Sequence, residues 1–183
     1  MKICILNGNP GSSRNGLDRY LKELKAALEA EKHSVVKIML KDLTIKYCTG
    51  CFGCWMRTPG ECVVKDDSAM VCRELVRSDL ALFASPVIMG FPSALLKKAN
   101  DKLIPLIHPY FAIDRGEVHH RARYEHYPQL GLILQRQKDT DDEDMDIITR
   151  IYERTALNMK SSLVFMRSTD TSIGEVVNEI NSI

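Results

Sequence analysis

Apolar residues recur along this chain with two different periods. "KICIL" at 2–6 is a short continuous apolar run that ends in "NGNPGSSRNG", a cluster of turn formers and hydroxyls. Within the next segment, "LDRYLKELKAALEAEKH", Leu17, Tyr20, Leu21, Leu24 and Leu28 fall at intervals of three and four. The pattern predicts strand, loop and amphipathic helix. A second apolar run, "SVVKIML", follows with no hairpin signal, so the unit reads as strand, crossover helix, parallel strand.

The same alternation continues. "DDSAMVCRELVRSD" places Met70, Val71 and Leu75 at helical spacing behind two aspartates suited to a helix start. "LALFASP" reads as a strand buried on both faces, and "SALLKKANDKLIPLI" as a helix. "LGLILQ" at 130–135 is a further strand, "DTDDEDMDIITRIYERTALNM" an acid-started helix, and "SLVFMR" a last strand before a short helix. Five strands alternating with helices predict an α/β fold, a doubly wound five-stranded parallel sheet, as a single domain over 1–183. One segment at about 108–128, "HPYFAIDRGEVHHRARYEHYP", breaks the rhythm and is expected to leave the sheet as a lid, an oligomer contact or a solvated loop. Its His119, His120 and His126 lack the spacing of metal ligands on one helix face.

Composition narrows the partners. Twenty-five basic and 24 acidic residues leave a formal charge of +1 in 183 residues, so neither nucleic acid nor an anionic membrane is attracted globally. The longest apolar stretch, "ALFASPVIMGF", falls well short of the roughly 20 residues that span a bilayer. With no secretory pattern at "MKICILNG", a cytoplasmic protein is expected. Cys4 and Cys72 sit in apolar segments and read as small packed hydrophobes.

In a parallel sheet, ligands bind beyond the carboxyl ends of the strands. The loop "NGNPGSSRNG" stands there, with small residues, hydroxyls and a following helix N-terminus that suit a phosphate. It lacks both the Walker ending and the "GxGxxG" pattern. A plain strand-to-helix turn is the alternative. "SPVIMGFPS", after the third strand, is apolar and stiffened by two prolines, which suits one wall of a flat ring or simply a core.

Four cysteines crowd "YCTGCFGCWMRTPGEC" at 47–62, spaced C-x2-C-x2-C-x7-C. Cys48, Cys51, Cys54 and Cys62 together allow a 4Fe–4S cluster or a zinc site, and Cys51 with Cys54 allows a redox dithiol. With Phe52, Trp55 and Met56 beside them they also allow a packed turn or a dimer contact.

In their order and spacing, "NGNPGSSRNG", "CTGCFGCW…GECVVKDD" and "SPVIMGFPSALLKKANDK" resemble the flavodoxin-like family of NAD(P)H-dependent FMN reductases and iron-sulfur flavoproteins, over about the first hundred residues. The resemblance implies FMN at the sheet edge and NAD(P)H as electron donor. Asn9, Ser12, Ser13, Asn15 and Gly16 would serve its phosphate, and Pro86, Val87, Ile88, Met89, Gly90 and Phe91 would line its ring. It implies a flavin oxidoreductase acting on a small acceptor such as a quinone or a flavin, with the chemistry carried by the flavin and no catalytic side chain. A homodimer or homotetramer is implied as well. The chain departs from the family in carrying Ile88 and Met89 where aromatics are usual, which implies weaker stacking on the ring or stacking supplied by Phe91 and Trp55 from other directions, and in the charged loop "LQRQKDTDDED". These departures favour a second reading, an electron carrier or a cofactor-poor binding or sensor module on the same fold.

Overall fold

The structure is a computed structural model that describes residues 1–11, 16–114 and 116–183. Its strands are β1 (Lys2–Asn7), β2 (Ser34–Met39), β3 (Leu80–Ile88), β4 (Phe91–Pro92), β5 (Ile107–Asp114), β6 (Glu117–Ala122), β7 (Gln129–Gln135) and β8 (Leu163–Ser168). The helices are α1 (Gly16–Ala30), α2 (Gly53–Met56), α3 (Ser68–Val76), α4 (Ala94–Asp101), α5 (Asp142–Asn158) and α6 (Ile173–Asn181). Five strands run parallel in the order β2-β1-β3-β7-β8, the expected doubly wound flavodoxin-like sheet. The chain winds outward in both directions from β1 and β3, and loops beyond that pair form the crevice where such sheets bind ligands.

The sheet divides the core by strand alternation. Ile3 and Ile5 of β1 face one side, where they pack with Leu17, Leu21 and Leu24 of α1 and Val176 of α6. Cys4 and Leu6 face the other, with Leu75 of α3, Leu96 of α4 and Ile148 and Tyr152 of α5. Central strands β1, β3 and β7 are buried almost throughout, whereas the edge strands β2 and β8 are partly exposed. Cys4 and Cys72 are buried, and burial pushes both thiols up to about 12, which fits their reading as packing residues. The acid-started helix α5 opens with a capping box in which Asp141 and Asp144 each bond the other's backbone N–H.

Two details depart from the sequence pattern. The helix expected across "SALLKKANDKLIPLI" stops at Asp101, and Ile104–Leu106 form a separate 3-10 turn at Pro105, which has no N–H to continue the ladder. The excursion at 108–128 is no irregular loop: β5 and β6 pair antiparallel, with Ile113 opposite Val118 and Ala112 opposite His119. Charged and aromatic residues masked an alternation that only the pairing reveals. Among the described residues no helix is long and apolar enough to cross a membrane.

Candidate functional site

The loop after β1 is organised by a buried polar knot. Asp18, in the first turn of α1, accepts from Asn7 Nδ2 at 2.7 Å and from Asn9 Nδ2 at 2.9 Å. The Asn9 N–H donates to Asn7 Oδ1 at 3.0 Å, and Asn9 Oδ1 accepts from the Gly11 N–H at 3.0 Å. Lys41 reaches in from beyond β2, donating to the Gly11 carbonyl at 3.1 Å and lying 3.6 Å from Asp18. Asn9 therefore shapes the loop from within. Ser12, Ser13 and Asn15 lie outside the described residues. Gly16 starts α1, where an added Cβ would stand 2.8 Å from Gln135 Nε2, so the end of β7 closes against it.

Gly8 joins this loop to the rest of the carboxyl edge. Its N–H donates to the Ala84 carbonyl at 2.8 Å and its carbonyl accepts from Ser93 Oγ. Ser93 also caps α4 by accepting from the Leu96 N–H, and its own N–H donates to Ser85 Oγ at 2.8 Å. Pro86 and Val87 are buried at the end of β3, whereas Ile88, Met89 and Phe91 are exposed. Ile88 pairs with Phe91 across β3 and β4, and the two residues between them, Met89 (φ 51) and Gly90 (φ 76), are both left-handed. Such a two-residue turn matches the twist of its strands. It lifts an apolar lip over the crevice. Asp144 stands close behind, 2.6 Å from where a Gly90 Cβ would lie.

The four clustered cysteines line one recess with Tyr47, Val64, Lys102 and Ile104. Gly50 (φ 65) and Phe52 (φ 53) flank Cys51 in left-handed conformations, which folds the chain back on that residue. The Gly53 N–H foremost, with the Thr49 side chain and the nearby Arg57, lowers the Cys51 thiol below its usual range. Burial first, and then the charges of Cys62, Cys48 and Cys51, push the Cys54 thiol up. Four thiolates here would repel one another unless a cationic centre joined them. Among the described residues no three His, Cys, Asp or Glu side chains are placed to hold one metal ion.

Behind Cys62 lies a buried ion pair. Lys102, 3% exposed, sits 3.3 Å from the Asp66 carboxylate and donates to Cys62 Sγ at 3.3 Å. Asp66 also accepts from the N–H groups of Lys46 at 3.0 Å and Ser68 at 2.9 Å. Burial alone would raise the Asp66 carboxyl, but these bonds outweigh it and hold the group down to about 2. Burial would likewise lower the Lys102 ammonium; its bonds to Cys62 and Asp66 raise it instead.

Helix α4 connects the two places. Its N-cap Ser93 touches Gly8, and its C-cap Lys102 touches Cys62, about 13.5 Å along the helix. Of four non-glycine residues with positive φ among the described ones, Lys32 and Lys160 follow helices, while Phe52 and Met89 mark one site each. Trp55, one of the two aromatics offered for stacking on the ring, packs against the hairpin. Its Nε1 donates to the Ile107 carbonyl at 3.0 Å, and its ring lies 5.3 Å from Phe52 and 4.8 Å from His120. The pattern of the sequence missed Asp18, Lys41, Asp66 and Lys102. A charge on the buried face of α1, and a lysine directly before the apolar run at 103–107, are the signals that would have found two of them.

A family model described as NADPH-dependent FMN reductase matches residues 1–121. An iron-sulfur flavoprotein of Archaeoglobus fulgidus is 35% identical over 111 residues, 59% of this chain and 48% of that protein. Another from Methanocaldococcus jannaschii is 29% identical over 106 residues, 58% of this chain and 53% of that one. The chain spans about half the length of these curated relatives. Among solved structures, an NAD(P)H:quinone oxidoreductase from Methanothermobacter marburgensis has a TM-score of 0.69 at 13% identity, covering 100% of this chain and 92% of that one. An FMN-dependent NADH-azoreductase from Bacillus anthracis, in complex with FMN, has a TM-score of 0.62 at 11% identity, covering 99% and 94%. At such identities the structural likeness establishes the fold.

Proposed function

Because the chain belongs to the NADPH-dependent FMN reductase family, we propose that it is an FMN-binding oxidoreductase passing electrons from NAD(P)H to a small acceptor, a quinone or free flavin. We place it in the cytoplasm. The observation that carries this reading is the meeting of two shaped loops at the β1/β3 crevice: the Asn7–Asn9–Asp18 knot on one side and the left-handed Met89–Gly90 turn on the other.

These residues fit FMN. Ser12, Ser13, Asn15 and Gly16 would hold the phosphate at the start of α1, where unpaired helix N–H groups favour an anion, in a loop that Asn9 shapes through its bonds to Asn7, Gly11 and Asp18. Pro86, Val87, Ile88, Met89, Gly90 and Phe91 would form the ring wall, with the exposed Ile88, Met89 and Phe91 covering its apolar face. A turn of this kind uses the N–H of its fourth residue, leaving those of Met89 and Gly90 for the polar edge of the ring. Bound flavin supplies hydride acceptance at its N5, so the protein needs no acid or base of its own. Its residues bind, orient and exclude water.

For the cysteines we propose a 4Fe–4S cluster held by Cys48, Cys51, Cys54 and Cys62. Support comes from four thiols around one recess and from N–H donors turned toward Cys51 and Cys62. A second reading, an electron carrier or cofactor-poor binding module, is favoured by Ile88 and Met89 on the lip and by the acidic first turn of α5 behind Gly90.

Anaerobic purification followed by analysis for FMN, iron, sulfide and zinc tests both readings. About one FMN and about four iron and four sulfide per chain are expected, with acceptor-dependent oxidation of NADH or NADPH. A protein that binds FMN yet leaves both nicotinamides unoxidised would support the carrier. Failure to bind added FMN overturns the flavin reading altogether.

The hairpin supports a homodimer or homotetramer. Ile113 and Val118 are paired and largely exposed, beside the exposed Tyr110 and Phe111, which makes an apolar face on a short free ribbon. Light scattering of an Ile113→Lys/Val118→Lys protein should give the mass of one chain where the parent gives two or four; an unchanged mass rules this face out as the contact.

A further inference from the structure

The buried Lys102 has a part in the cysteine site that no general account of the fold requires. Its ammonium is held between Asp66 and Cys62, at 3.3 Å from each. Burying an ammonium is costly unless partners offset it, and Asp66 divides its acceptor capacity among Lys102 and the N–H groups of Lys46 and Ser68. Of the four clustered cysteines, Cys62 is the one that receives a hydrogen bond from a charged side chain among the described residues. The backbone from which the ammonium reaches is also fixed, since the Lys102 N–H caps α4 and its carbonyl accepts from Cys72 Sγ at 3.4 Å.

We infer that Lys102 is a positioning residue of the cysteine centre, whose N–H···S bond to Cys62 makes a bound cluster easier to reduce. The inference rests on the cluster reading given above. Reduction adds one electron to the centre and no atom, so the change is one of charge alone. A fixed cation beside one ligand sulfur, in a region of low dielectric, favours the more negative reduced form. The Asp66 carboxylate, 3.3 Å from the ammonium, opposes it. Removing either partner should therefore move the potential, and in opposite directions.

The test uses the full chain reconstituted anaerobically with ferrous iron and sulfide, assayed for both, and titrated with dithionite under electrochemical control with spin-resonance detection. Lys102→Met should shift the midpoint potential negative and Asp66→Asn should shift it positive, at iron contents equal to the parent's. Lys102→Arg should restore it toward the parent. The Asp66→Asn/Lys102→Met protein removes both charges together, and so reports the N–H···S bond if the single lysine variant does not fold; its potential should remain below that of Asp66→Asn alone. A merely structural role would lower the iron content without separating the potentials in this way. Identical potentials at full iron loading overturn the inference and leave the cluster reading intact. Failure of the parent itself to take up iron and sulfide overturns both.

Discussion

Asp66→Ala is expected to destabilise the folded chain by about 3–5 kcal/mol, the range for breaking a buried ion pair from one side. The substitution leaves the Lys102 ammonium in a site that is 3% exposed with Cys62 as its partner among the described residues, and strips the N–H groups of Lys46 and Ser68 of their acceptor. For a chain of this length the loss corresponds to a fall in Tm of roughly 6–20 °C. Calorimetry or thermal circular dichroism reads it directly. The deficit should also depend on pH. A carboxyl lowered from 3.8 to about 2 stabilises the fold fully above the higher value, and that contribution is lost as pH falls through the lower one. It amounts to about 2 kcal/mol. The gap between parent and variant should therefore narrow by about that much between pH 5 and pH 2. A gap of constant size would mean that Asp66 is not the anion that the geometry describes.

Gly8→Val is expected to abolish FMN retention and to cost about 1–3 kcal/mol of stability, as overpacking does elsewhere. Any Cβ at this position would lie 2.7 Å from Leu96 Cβ, 3.0 Å from Ser93 Oγ and 3.1 Å from the Ala84 carbonyl. Leu96 and Ser93 belong to the start of α4 and Ala84 to the middle of β3, so the loop itself has to move. Moving it breaks the Ser93 bond to the Gly8 carbonyl and carries Asn9 away from Asp18. Equilibrium dialysis with FMN should show affinity lower by a hundredfold or more, a factor set by about 2.7 kcal/mol. Unchanged affinity in a folded variant would remove this loop from the flavin site.

Much of the architecture was legible as pattern. Central strands β1, β3 and β7 are buried on both faces and read as continuous apolar runs, and α1 declares itself by Leu17, Leu21, Leu24 and Leu28. The hairpin was not, because β5 and β6 pair only with each other and bury little. Its apolar residues Phe111, Ile113 and Val118 are exposed and stand among charged and aromatic neighbours, so no buried face marks the alternation. Similarly, the two-residue turn at Met89–Gly90 hid inside an apolar stretch, since left-handed backbone at a methionine is imposed by the pairing on either side of it.

The candidate sites divide along the same line. Cysteine spacing and the order of the loops are local properties, and the chain alone determined them, together with the parallel sheet that its alternating periods require. Lys102 and Asp66 stand 36 positions apart, and Asn9 is tied to a helix residue, Asp18, across a loop. What binds them is the cost of burying charge and polar groups without partners, which is settled by neighbours in space. Only the tertiary structure could decide that the lysine after α4 points at Cys62, that Trp55 belongs to the hairpin, and that a single helix touches both sites.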